Sequence, residues 1–280
     1  MPHNAQEQRD VWIDEEFAPL LGSAGLVDFD SFMETERGRC LRALEDRENW
    51  RLDVPHADGR AYGMYLKKHH VRSWQWWLRA RLGRPARRSP GRVEARNIVR
   101  LDRSGVAAMR LVAFGDRLHA DGLLESFVLT EELVGFTQLD HLLRRRFPER
   151  QASAKRDPAL AGLIEQIADV AARFHHAGFN HRDFYCCHFF IRETEVPDFE
   201  VRLIDLQRVE RRRWLRWRWI VKDLAQLAYS APRERIGPTA RMAFIKRYLG
   251  VRKLRPVDKR LIRAVLAKQI QMEQHLGPHP

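Results

Sequence analysis

The chain has 280 residues, with 50 Lys and Arg against 37 Asp and Glu, for a formal net charge of +13. That length holds one large domain or two lobes with ample core. No apolar run approaches the ~18 residues of a membrane span, and three cysteines (Cys40, Cys186, Cys187) are too few for a secreted disulfide framework. The basic balance points to an anionic partner: a phosphate-bearing ligand, an anionic membrane face or nucleic acid. The first ten residues carry no positive region leading into an apolar core, so no signal peptide is expected. A cytoplasmic location follows, soluble or peripheral.

Residues 1–36 are acidic and read as an irregular N-terminal extension. Short strands are predicted over residues 39–44, 48–54 and 61–68, separated by Glu45-Asp46-Arg47 and by the turn-like stretch 55–60. The third strand ends on Tyr65-Leu66-Lys67-Lys68, which puts Lys67 where a strand lysine can reach phosphates. Residues 72–92 hold Arg72, Arg79, Arg81, Arg84, Arg87, Arg88 and Arg92 with Trp74, Trp76 and Trp77, and no acid. Two readings stand: a headgroup-level interface of tryptophan and arginine, or a helix packing its tryptophans inward.

Ser89-Pro90 reads as the N-cap and first residue of a helix through Leu101. It carries Glu94, a candidate partner for Lys67. Residues 107–117 and 125–129 add two strands, giving five strands and one helix in a first lobe. Residues 130–133 then form a hinge, where the backbone around Glu131 and Leu133 can hydrogen-bond a nucleotide base. Thr137-Gln138-Leu139-Asp140 opens a helix as a capping box. Asp157-Pro158 opens the next, with Leu160, Leu163, Ile164, Ile167, Val170, Ala171 and Phe174 at helical spacing until Gly178 stops it.

That helix delivers His181-Arg182-Asp183, followed by His188, a short apolar strand, and a second acid in Leu203-Ile204-Asp205-Leu206. The layout matches a phosphotransferase catalytic loop and its metal-binding aspartate. One acid receives the proton of an attacking hydroxyl, while the other holds the magnesium that bridges the nucleotide's phosphates. Arg182, beside Asp183, would favour its ionised form. Beyond Asp205 come Arg208, Arg211, Arg212, Arg213, Arg216 and Arg218 with Trp214, Trp217 and Trp219. A helix starting near Ile220 carries Lys222-Asp223-Leu224, and helices over 238–249 and 256–275 close the chain.

Taken together, Asn180-His181-Arg182-Asp183, Leu203-Ile204-Asp205-Leu206-Gln207-Arg208 and Lys222-Asp223-Leu224-Ala225 resemble the lipopolysaccharide core heptose kinases, bacterial relatives of protein kinases. The likeness runs from about residue 36 to 230. It implies an α+β, two-lobed protein-kinase-like fold: an extension over 1–36, an N-lobe of antiparallel sheet plus helix over 37–133, and a mainly helical C-lobe over 134–280. It further implies ATP and Mg²⁺, with heptose I of the lipopolysaccharide inner core as acceptor and the cytoplasmic face of the inner membrane as workplace. No nucleic-acid partner is expected.

By the same resemblance Asp183 is the general base, flanked by His181 and Arg182, and Asp205 is the magnesium ligand with His188 beside it. Lys67 binds phosphates, Glu94 pairs with Lys67, and Asp223 orients the loop by accepting its backbone N–H groups. Arg208, Arg211, Arg212, Arg213 and Arg216 are the candidate ligands for an anionic acceptor. No glycine-rich loop lies between the first two strands, and Arg47 is the residue placed to substitute for it. Two alternatives share these features: a kinase of another acceptor (Kdo, a small molecule or a protein), and a non-catalytic kinase-like scaffold that binds anions or nucleic acid.

Overall fold

The computed structural model describes residues 10–55, 59, 61–86, 88–147, 157–194, 198–212 and 214–277. Arg87 and Arg213 therefore lie outside the described residues. The chain divides into two units, residues 1–99 with 109–134, and residues 100–108 with 135–280.

The first unit opens with β1 (Val11–Ile13), α1 (Ala18–Ser23) and α2 (Phe29–Glu34). Then come β2 (Arg39–Leu44), β3 (Arg47–Pro55), β4 (Ala61–Arg72), α3 (Trp74–Arg81), α4 (Pro90–Asp102), β5 (Leu111–Leu118) and β6 (Leu123–Glu131). The strands form one sheet in the order β1-β5-β6-β4-β3-β2, antiparallel throughout. Strand alternation divides the side chains between two faces. Leu52, Val54, Met64, Leu66, Phe127 and Leu129 point to one face, against Phe17, Leu21, Phe29 and Phe32. Lys67 and His69 on β4 fall on the other.

Residues 10–34 are thus not irregular, as the sequence suggested. They supply an edge strand and two short helices that cover one face of the sheet. Asp28 and Ser31 cap α2 reciprocally, the Ser31 N–H donating to the Asp28 carboxylate at 2.8 Å. Six-residue helices are too short to print a periodicity, which is why the pattern was not visible.

The second unit contains β7 (Thr137–Gln138), α5 (Leu139–Arg146), α6 (Pro158–His176), β8 (Phe179–Asn180), β9 (Phe189–Glu193), β10 (Phe199–Leu203), β11 (Glu210–Arg211), α7 (Arg216–Ser230), α8 (Pro238–Leu249) and α9 (Pro256–Leu276). Helix α6 behaves as expected: Asp157 caps it through the N–H groups of Ala159 and Leu160, and all seven of its periodic apolar residues are buried. Thr137 does not cap α5; it pairs with Ile191 in a three-stranded sheet of β10, β9 and β7. Helix α7 begins at Arg216, four residues before the expected start. Residues 107 and 108 join this unit rather than β5, since the Leu203 N–H donates to the Ala107 carbonyl at 3.1 Å. No helix among the described residues is long and apolar enough to cross a membrane.

Candidate active site

In the first unit, Lys67 Nζ lies 2.7 Å from Glu94 Oε1, and Glu94 is fully buried. Helix α4 must approach the sheet closely for this contact. Gly91 permits it: a Cβ there would stand 2.5 Å from the Phe127 carbonyl oxygen of β6. The Gly91 N–H donates to Ser126 Oγ at 3.2 Å, while Ser89 Oγ accepts from the Arg92 N–H and donates to Asp116. Arg92 clamps the same carboxylate at 2.6 and 2.7 Å. The start of α4 is therefore fixed at four points, and Glu94 one turn later meets Lys67.

Around Lys67, Asn49 is its register partner on β3 and Arg47 is the partner of His69. All four share a face of the sheet. Asn49 Oδ1, His69 Nε2 and Glu94 Oε2 are buried with no hydrogen-bond partner among the described residues. Asn49 Oδ1 and Glu94 Oε2 are acceptors, so of these groups Lys67 is the one suited to a phosphate, and the two oxygens call for a donor such as water. Burial, then the charges of Lys67 and Arg47, push the His69 pKa down to about 4, so the ring is neutral.

The hinge residues have defined neighbours. The Glu131 N–H donates to the Arg110 carbonyl and the Glu132 N–H to the Gly63 carbonyl, both at 3.0 Å. The Glu131 side chain accepts from Tyr62 at 2.5 Å. The Leu133 N–H makes no backbone hydrogen bond among the described residues. Of the hinge pair, the Glu131 N–H is thus already used within the sheet region.

In the second unit, the loop after β8 is held by one side of α7. The fully buried Asp223 carboxylate accepts from the His181 N–H at 2.8 Å and the Arg182 N–H at 2.9 Å. Gln226 accepts from the Phe184 N–H at 3.1 Å and donates to the Arg182 carbonyl at 2.9 Å, which also accepts from Lys222. Ser230 Oγ accepts from the Cys186 N–H at 2.8 Å. Asp223, Gln226 and Ser230 stand at i, i+3 and i+7, so one helical stripe matches the loop donor for donor. Only Asp223 was singled out from the sequence. The polar stripe on an otherwise apolar helix was the signal that could have revealed Gln226 and Ser230.

These bonds hold Arg182 at a φ of +72°, and Asp205 also adopts a left-handed backbone, with φ of +55°. His181 is buried, with Nε2 3.1 Å from the Ile204 carbonyl, and burial, followed by the nearby His188, lowers its pKa to about 4. The His188 ring stacks on it at 5.6 Å. His188 Nδ1 lies 2.6 Å from the Asp183 carbonyl oxygen, and Nε2 lies 3.8 Å from Asp205 Oδ2. Burial disfavours charge on His188, but Cys187, the Asp183 carbonyl and Asp205 outweigh it and hold the pKa up at about 9. The structure thus brings Asp205 and His188 together, with His188 bonded to the backbone of Asp183.

The arginines are arranged differently from the sequence expectation. Arg182 does not accompany Asp183; its guanidinium pairs with Glu210 at 3.0 Å and lies over Trp219. Arg208 takes that place, with Nη1 2.9 Å from both oxygens of the Asp183 carboxylate. Arg212 pairs with Glu210 and also covers Trp219, and Arg211 packs on Phe179. Arg216 donates to the His175 carbonyl at the end of α6, so its guanidinium closes a helix terminus instead of facing a ligand. Two arginines of the cluster are thereby tied to the scaffold around Glu210 and α6.

Three comparisons bear on this arrangement. The model of the lipopolysaccharide kinase (Kdo/WaaP) family matches residues 31–248. The lipopolysaccharide core heptose(I) kinase WaaP of Pseudomonas aeruginosa is 34% identical over 202 residues, covering 71% of this chain and 72% of that protein. The enzyme of the same name from Escherichia coli K12 is 29% identical over 258 residues, covering 88% and 92%. A solved structure, WaaP in complex with acyl carrier protein, superposes with a TM-score of 0.69 at 29% identity, covering 95% of this chain and 98% of that one. The matched span takes in the Lys67–Glu94 pair and the whole loop from His181 to Asp223, and the chain belongs to the lipopolysaccharide kinase (Kdo/WaaP) family.

Proposed function

We propose that this protein transfers the γ-phosphoryl group of ATP to a hydroxyl of heptose I in the lipopolysaccharide inner core. The observation that carries the reading is the loop around Asp183. Its N–H groups are satisfied by Asp223, Gln226 and Ser230, so the carboxylate is pre-positioned rather than mobile. Phosphoryl transfer asks mainly for alignment and charge neutralisation, and that is what such a loop supplies.

In this mechanism Asp183 accepts a hydrogen bond from the attacking sugar hydroxyl, aims it at phosphorus and takes its proton as the bond forms. Lys67, held by Glu94, binds the phosphates of the nucleotide, and the leaving oxygen departs with ADP. Arg208 steadies Asp183 until the hydroxyl arrives. Asp205 is the residue that would hold a cation; His188, protonated at neutral pH by its pKa of about 9, pairs with that carboxylate at 3.8 Å and would have to give up its proton to join as a ligand. No three His, Cys, Asp or Glu side chains gather into a metal cage among the described residues. When bound there, magnesium would neutralise charge developing on the phosphates.

The reading includes a partner. Within the second unit lies a cavity of about 400 Å³ lined by residues such as Leu143, Ile167, Leu227, Phe244 and Ile262. Its one charged wall residue, Arg241, donates to the carbonyls of Ile236, Ala228 and Ala231 and so presents no unmet demand. Such a lining suits a hydrocarbon chain, and the solved relative carries an acyl carrier protein. We assign the cavity to the acyl group of that carrier. Peripheral work at the cytoplasmic membrane face follows from a lipid-linked acceptor.

Mass spectrometry of inner-core lipopolysaccharide, from cells with the gene, without it, and complemented with Asp183→Ala, tests the activity. One phosphate should disappear from heptose I in the last two. An unchanged core refutes the assignment.

A further inference from the structure

Helix α3 buries none of its residues. Trp74 is 71% exposed, Trp77 45%, Leu78 42% and, just past the helix end, Leu82 55%. Trp74, Trp77, Leu78 and Arg81 fall at i, i+3, i+4 and i+7, the spacing of a single helical stripe. In a soluble helix such a stripe faces the core; here it faces water. The backbone of Trp77 is what contacts the sheet side, where Gly122 leaves room: a Cβ there would lie 2.7 Å from the Trp77 Cα.

Along the segment itself the charges are of one sign, although Arg72 pairs with Asp121 and Arg92 with Asp116 from the neighbouring strands and turn. From Arg72 to Arg92 the sequence has seven arginines and no acid. Arg81 lies 5.1 Å from the Trp77 ring and Arg79 5.8 Å from the Trp76 ring, so two guanidinium groups are held at the edge of the aromatic surface. An isolated eight-residue helix has little stability of its own. Leaving its apolar side in water adds a further cost.

We infer that the Trp74–Trp77–Leu78 face of α3 docks on an anionic lipid bilayer. Indole rings settle at the headgroup level, and the guanidinium groups would pair with lipid phosphates. Eight residues rise only about 12 Å, so the helix would lie in the interface plane instead of crossing it. The apolar stripe argues for a bilayer over a nucleic-acid backbone, which would meet the arginines but leave Leu78 and Leu82 in water. The inference rests on the proposed lipid-linked acceptor for its purpose, yet its measurement requires no acceptor.

The test is co-sedimentation of the full chain with vesicles of phosphatidylethanolamine containing phosphatidylglycerol, against phosphatidylcholine alone. The wild-type protein should pellet with the anionic vesicles only, and less at high salt. Trp74→Ser with Leu78→Ser should weaken binding at least tenfold, an expectation of roughly 1.4 kcal/mol or more from two exposed apolar groups. Arg79→Gln and Arg81→Gln should each cost about fivefold, from ~1 kcal/mol per basic residue at such a surface. All these side chains lie outside the core, so thermal melts should match wild type. Equal pelleting of wild type and variants overturns the docking, as does a variant that loses only single-stranded DNA binding or only self-association. Phosphorylation of a delipidated core oligosaccharide without any vesicle binding would remove the docking surface and leave the kinase assignment standing. Vesicle binding without phosphorylation would do the reverse.

Discussion

Asp223→Asn changes one atom in the support of the catalytic loop and leaves the shape of the side chain nearly intact. In the native protein each carboxylate oxygen accepts one backbone N–H, at 2.8 and 2.9 Å, in a site with no solvent. An asparagine has one oxygen to offer, so its NH₂ must face one of those N–H groups. Turning the NH₂ toward His175 Nε2, 3.4 Å from Oδ2 in the native protein, orphans the His181 N–H. Turning it the other way orphans that of Arg182. A buried donor left unpaired costs ~1–3 kcal/mol, and the surviving bond loses its charge assistance, roughly half its strength. Together these amount to about 2–4 kcal/mol. For a chain of this size the melting temperature should fall by roughly 5–15 °C. Arg182 would also be freed to relax from its left-handed φ, moving Asp183, so kcat should fall by about a hundredfold or more. Differential scanning fluorimetry and single-turnover transfer measure both quantities. A variant that melts and turns over like wild type would refute the view that Asp223 positions the loop.

Other perturbations separate structural from chemical roles. Lys67→Ala leaves the fully buried Glu94 without its cation and should cost ~3–5 kcal/mol in urea unfolding, whereas Lys67→Met with Glu94→Leu should recover most of that stability and no activity. Arg208→Ala should lower kcat by roughly tenfold to a hundredfold with little change in the KM for ATP, and Lys should rescue much of the loss, because one nitrogen, Nη1, makes both contacts to Asp183. Gly91→Ala should disrupt the first unit, since a Cβ would stand 2.5 Å from the Phe127 carbonyl and push α4 away from Lys67. Its signature is a lower melting temperature with a raised KM for ATP. His69, neutral in the fold with a pKa of about 4, gains a proton on unfolding between about pH 4 and its ordinary 6.5. Stability from this group is therefore complete above pH 6.5 and declines as pH falls toward 4, by up to about 3 kcal/mol. His69→Gln should flatten that part of the pH profile of urea midpoints.

What the sequence revealed divides along physical lines. The Lys67–Glu94 contact spans 27 residues and was anticipated because a strand lysine and a helix glutamate occur in the order that a resemblance supplied. Helix α6 was legible from its own apolar period and its Asp157 cap. The N-terminal layer was not, because α1 and α2 are shorter than two turns and reveal themselves only by packing Leu21, Phe29 and Phe32 on the sheet. The partners of the arginine cluster were not legible for a related reason. Arg208, Arg212 and Arg216 look alike in sequence, but the pairing of each is decided by what folds beside it: Asp183, Glu210 and the end of α6.

The backbone of the site was the least legible part, and the reason is strain. Among the described residues three non-glycine positions have positive φ, and two of them, Arg182 and Asp205, belong to the loops that present Asp183 and the candidate metal ligand. Such conformations cost ~1–3 kcal/mol each and persist only where the surroundings over-determine them. For Arg182 those surroundings are visible: its N–H is bound by Asp223 and its carbonyl by Lys222 and Gln226, all from α7. No local sequence preference would place an arginine there. The conformation is imposed by a helix 40 residues downstream, and its result is that the carbonyl of Asp183 reaches His188 while its carboxylate remains available to Arg208 and, in the proposed reaction, to a sugar hydroxyl. A glycine at position 182 would adopt the same φ without strain. It would also be free to leave it, and a loop free to move would give up the alignment on which phosphoryl transfer depends.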